Sequence, residues 1–116
     1  TVYQVPMNPA QVKAGCAAST TIGNGVMVLT GTSLCMRLSV GKLASGSGAH
    51  TGASIVTSAI GAAEVFAIAL STDPIKKECK TLTSAQISSL NAGKLAVLIK
   101  TTTCPSGEIR GQILKV

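Results

Sequence analysis

Apolar and polar positions alternate most regularly from Leu34 to Val40, where Leu34, Met36, Leu38 and Val40 interleave with Cys35, Arg37 and Ser39. A period of two sends each set to its own side of an extended chain, so the run predicts a strand with one face on a core. The preceding run, Ile22 to Thr30, carries Val26 and Val28 on one side and Met27 and Leu29 on the other. Apolar residues on both sides predict a strand buried on two faces. Thr30, Gly31, Thr32 and Ser33 between the two runs predict a hairpin turn. Tyr3 to Val5 reads as an opening strand stopped by Pro6 and Pro9, and Gln11 to Thr20 as an irregular connection that carries Cys16. The glycine-rich stretch from Gly41 to Gly52 reads as a long loop, followed by strands at Ile55 and Val56 and from Glu64 to Leu70. Closing strands are expected at Leu95 to Thr101 and Glu108 to Val116, joined through Cys104, Pro105, Ser106 and Gly107.

One segment, residues 82–93, breaks the two-residue period. Thr83 followed three positions later by Gln86 forms a capping box, in which each side chain satisfies a backbone amide of the first turn. Ile87 and Leu90 then share a face, and Gly93 suits the position just past a helix end, so a short helix is expected near residues 84–91. Val, Ile and Thr contribute 10, 9 and 13 of the 116 residues, and β-branched side chains favour the pleated surface of strands. The expectation is an all-β fold: an antiparallel, Greek-key-like β-sandwich or barrel with one short helix, forming a single domain over residues 1–116. With no Trp, one Phe and one Tyr, its interior has to be packed from aliphatic side chains and Met.

Charge and histidine content narrow the function. His50 is the only histidine, so zinc, blue-copper and facial-triad iron sites lack ligands, and no metal or cofactor is expected. A serine hydrolase would have only His50 as its base and has no Gly-x-Ser-x-Gly turn. The carboxylates for a glycosidase would come from Glu64, Asp73, Glu78 and Glu108 alone. The reading is therefore a protein that is not an enzyme. The net charge is +6, but the basic residues are dispersed and aromatic stacking platforms are lacking, which argues against nucleic acid. The densest basic group, Lys76, Lys77 and Lys80, reads as a solvated loop, the functional alternative being weak attraction to anionic polysaccharide or lipid headgroups.

Four cysteines, Cys16, Cys35, Cys79 and Cys104, lie far apart without a Cys-x-x-Cys pair. An even number at wide spacing in a Ser/Thr/Gly-rich chain predicts two disulfides formed in an oxidising compartment, with three pairings open. The apolar window from Ala53 to Leu70 holds Thr57, Ser58, Gly61 and Glu64, too polar for a membrane span. The chain starts at Thr1, consistent with a secretory signal already removed.

The run from Leu82 to Leu90, then Ala92, Gly93 and Leu95, then Pro105, Gly107, Glu108, Ile109, Arg110, Gly111 and Gln112, resembles the closing half of CHRD domains. Val5-Pro6 and Ala49-His50 are similar to earlier positions of that family, and Gly107-Glu108-Ile109-Arg110-Gly111 is the specific block. The resemblance implies a β-sandwich or barrel like that of copper-zinc superoxide dismutase, in an extracellular interaction or structural module. This chain departs from the family where Thr51 or Gly52 and Lys100 replace histidines, so any metal bound through those positions elsewhere would lose ligands here. On a strand, Glu108 and Arg110 share one face and would form an ion pair that fixes register, with Gly111 permitting close backbone approach.

The leading expectation is a secreted, disulfide-stabilised structural or interaction module that self-associates, or binds another protein or polysaccharide, in matrix, cell wall or filament. Its terminal strands would supply pairing edges. The alternative is a small secreted binder or inhibitor using the loops around His50 and around Lys76, Lys77 and Lys80.

Overall fold

The computed structural model describes residues 1–8, 23–40, 50–57, 65–70, 75–101 and 109–116. The strands are β1 (Val2–Gln4), β2 (Gly23–Thr30), β3 (Ser33–Val40), β4 (His50–Thr57), β5 (Val65–Ala69), β6 (Ile75–Thr81), β7 (Leu95–Thr101), β8 (Ile109–Gln112) and β9 (Leu114–Lys115), with one helix, α1 (Ser84–Asn91), between β6 and β7. They form two antiparallel sheets, a five-stranded one in the order β6-β3-β2-β1-β9 and a four-stranded one in the order β5-β4-β7-β8. After the β2–β3 hairpin the chain changes sheets for β4 and β5, returns to place β6 beside β3, and changes again to place β7 beside β4. This is a Greek-key-like crossing in an open sandwich rather than a closed barrel.

One core joins the sheets. Tyr3, Val5, Met27, Leu34, Met36 and Leu38 from the first meet Ile55, Leu95, Val97, Ile99 and Ile109 from the second. The helix adds Leu90, with Ile87 packed against the same cluster. Thr83 accepts from the Gln86 amide at 3.2 Å and its own amide donates to Gln86 Oε1 at 2.9 Å, so the capping box forms as the sequence predicts. Gly93, at φ 75°, turns the chain out of the helix into β7. Tyr3 is fully buried, and its hydroxyl donates to Asn91 Oδ1 at 2.6 Å, tying β1 to the helix end. Burial holds that phenol's pKa above its ordinary value, because the phenolate would be desolvated.

The two sheets are stitched at a corner. Val5 and Met7 continue the pairing of β1 along β2, through Gly25 and Gly23, and the next residue, Asn8, exchanges backbone hydrogen bonds with Arg110 of β8 at 3.1 and 3.2 Å. The chain end makes the converse switch. The Ile113 amide still bonds Leu95 of β7 at 3.0 Å, whereas Leu114 and Lys115 pair with β1.

Four expectations change. Lys76, Lys77 and Lys80 lie on strand β6, not in a loop. His50 opens β4, so the loop expected through Gly52 gives way to strand three residues early. β1 sits between β2 and β9 and is not an edge, since both its sides are paired. β2 is open on one side: Met27 is buried, while Val26 and Val28 are 47% and 41% exposed.

Candidate outer-face interaction site

Strand register decides what lies on the outer face of the five-stranded sheet. Cys79 pairs with Cys35, Cys35 with Val28 and Val28 with Val2, and the Val116 amide donates to the Val2 carbonyl at 3.0 Å. The result is one row of apolar side chains and a disulfide that crosses β6, β3, β2 and β1 and ends at Val116, the residue after β9. At about 4.8 Å between neighbours, it runs roughly 19 Å. The row beside it reads Lys77, Arg37, Val26, Gln4 and Leu114. Val2, Val26, Val28, Leu114 and Val116, the exposed large hydrophobic residues among those described, all belong to these two rows.

The Cys35–Cys79 disulfide, Cα to Cα 3.9 Å, staples β3 to the edge strand β6 within the first row. It settles one of the expected bridges, while Cys16 and Cys104 lie outside the described residues. Arg37 and Lys77 stand directly opposite each other in the second row, both exposed, with no acidic partner among the described residues. Between the rows is a hollow of about 420 Å³, lined by Val26, Val28, Cys35, Arg37, Lys77 and Cys79. Glu78 also borders it, but its carboxylate is mostly buried and lies 3.4 Å from Lys80 Nζ.

The opposite outer face is different. On the four-stranded sheet Ser54, Val56, Ala96, Leu98, Arg110 and Gln112 share the side away from the main core, and all are buried. Arg110 Nη2 donates to Gln112 Oε1 at 3.0 Å, and Gln112 Nε2 donates to the carbonyls of Gly93 and Leu95. Through Gln112 these bonds tie β8 to the helix exit. Glu108, the expected partner of Arg110, lies outside the described residues. At Gly111 an added Cβ would stand 2.4 Å from Met7 Cγ, 2.8 Å from the Pro6 carbonyl oxygen and 2.9 Å from Val5 Cγ1. The Arg-Gly pair thus serves the corner where β1's continuation meets β8.

The end of β4 and β7 gathers the positions singled out around the histidine. His50 pairs with Thr101 and Gly52 with Lys100. No group of three or more His, Cys, Asp or Glu able to hold a metal occurs among the described residues. No helix among them is long and apolar enough to cross a membrane. The residues that sequence reasoning missed are the exposed valines and leucine. Their signal was present in the register of β2 against Cys35 and Arg37, but two apolar faces on β2 concealed which side faced water.

Together these features define a stapled β-sandwich module with one closed outer face and one open apolar one. The CHRD domain family model matches residues 3–113, nearly the whole chain, and the protein belongs to that family. CHRD domains occur in secreted proteins, which is compatible with an extracellular module. Comparison with curated proteins and with solved structures gives no match.

Proposed function

We propose that this chain is a secreted, disulfide-stabilised, non-enzymatic module that works by adhesion, presenting the outer face of its five-stranded sheet to another component of matrix, cell wall or filament. The observation that carries this reading is the collection of exposed aliphatic side chains into two adjoining rows on one face. Scattered exposed hydrophobics need no explanation, but a contiguous rank marks an interaction surface. Edge pairing contributes less. On β6 the positions paired with Leu34 and Met36 are Lys80 and Glu78, and charges set toward the core side of an edge strand discourage a further strand from adding there. The other edge of that sheet, β9, is two residues long.

The alternative of a binder that uses its basic residues meets this reading at Lys77, which lies on the same face. The test is co-sedimentation of the purified chain with insoluble extracellular material from its source, alongside a Val28→Ser/Leu114→Ser variant of unchanged circular dichroism. The wild-type chain is expected in the pellet, either bound or self-associated, with the variant at least fivefold depleted. Equal partition of the two would remove this face from the function.

A further inference from the structure

Arg37 and Lys77 face each other across neighbouring strands on an open surface, an arrangement that costs stability unless an anion lies between them. The hollow beside them is lined by Val26 and Val28 and by the Cys35–Cys79 disulfide. Its volume, about 420 Å³, is in the range that holds a few side chains or a small ligand. We infer that this hollow receives an acidic polypeptide segment, with a carboxylate clamped by Arg37 and Lys77 and the adjoining bulky apolar side chains laid on Val26 and Val28. The inference rests on the reading of the outer face as the working surface.

Charge selects this occupant over a second copy. The chain carries ten Lys and Arg against four acidic residues, Glu64, Asp73, Glu78 and Glu108, and Glu78 is already engaged by Lys80. A second copy brings the same cationic excess to the contact. The chemistry of the lining selects a polypeptide over an acidic polysaccharide. Apart from the charged Arg37, Lys77 and Glu78, the hollow is lined by aliphatic side chains and sulfur with no aromatic ring, so it matches Leu-like or Phe-like side chains better than a hydroxylated sugar. A guanidinium can also grip a carboxylate through two parallel hydrogen bonds, which fixes the segment's position as well as its charge.

The test is an NMR titration of the whole chain with a blocked hexapeptide alternating Glu and Leu, compared with the same peptide carrying Gln for Glu, and with polygalacturonate. The expected result is shifts centred on Val26, Val28, Arg37 and Lys77, with affinity that falls as salt rises. Arg37→Gln/Lys77→Gln should weaken binding at least tenfold, and Val26→Ser should weaken it several-fold. Both variants change exposed side chains, and the first also removes a like-charge contact, so the fold is retained.

Equal binding of the Gln peptide, lost only in Val26→Ser, would overturn the acidic assignment while leaving the outer face as the working surface. Tighter binding of polygalacturonate at the same residues would overturn the polypeptide assignment. Self-association of the wild-type chain that Val26→Ser abolishes would place a second copy on the face instead. No shift at these residues with the Glu peptide in millimolar excess would overturn the inference outright. If Val28→Ser/Leu114→Ser also left the pelleting assay unchanged, the outer-face reading would fall with it.

Discussion

Gly111 shows how much of this sandwich depends on single positions. Two segments distant in sequence, residues 5–8 and β8, meet there closely enough that even a methyl group would overlap Met7 and the Pro6 carbonyl. The Met7 atom it would meet is Cγ, close to the main chain, and the carbonyl belongs to a backbone held by its own hydrogen bonds at Val5, Met7 and Asn8. Gly111→Ala should therefore cost about 1–3 kcal/mol, as overpacking of a tight site does, read as a lower midpoint in denaturant unfolding. An unchanged midpoint would mean that the corner opens without penalty. Sequence suggested close approach at this glycine but not what approaches, because that requires knowing that β1's continuation leaves one sheet for the other. Arg110 was legible as a strand residue; its side chain donates to Gln112, two positions along the same strand, while Glu108 lies outside the described residues.

At the scale of elements, what could be read depended on whether a local rule or a long-range one placed the element. The helix followed from the capping box alone, and β3 from its strict alternation. β6 was missed because Ile75–Thr81 has charged residues at the positions that a core-facing strand normally fills with apolar ones. That pattern is how an edge strand protects itself, and in sequence it looks like a loop. The closing strand was seen but not its division at Ile113, where β8 ends in one sheet and β9 begins in the other.

The disulfide now has a definite task at this scale: it fastens β6, whose inward charges contribute little burial, to β3. Cross-linking residues 44 apart stabilises by roughly 2–4 kcal/mol, largely through the unfolded chain. Cys35→Ser/Cys79→Ser should lose about that much. Hydrogen exchange should quicken first in β6 and only later in β2. Uniform acceleration across the sheet would show that β6 is held by its ladder alone.

For the whole molecule, the two outer faces of the sandwich make opposite claims. Val28 and Leu98 are both aliphatic strand residues pointing away from the shared core, one 41% exposed and the other 2%. Removing a buried side chain forfeits its transfer free energy and leaves a cavity, so Leu98→Ala should cost about 2–5 kcal/mol. Val28 is 41% exposed and paired with Val2 and Cys35, and Val28→Ser should cost about 1 kcal/mol or less, through lost strand preference and cross-strand contact. Its main effect should appear in association, as fewer pelleted molecules of a chain that still folds. Thermal unfolding of the two variants beside the wild-type chain separates these outcomes. If Val28→Ser were as damaging as Leu98→Ala, the open face would be part of the folding core, and the apolar rows would exist for the molecule's own stability. If only Leu98→Ala destabilises, Val28, one of five large hydrophobic residues exposed among those described, sits on the surface without folding benefit. The pelleting assay with Val28→Ser then decides whether that position serves the proposed adhesion.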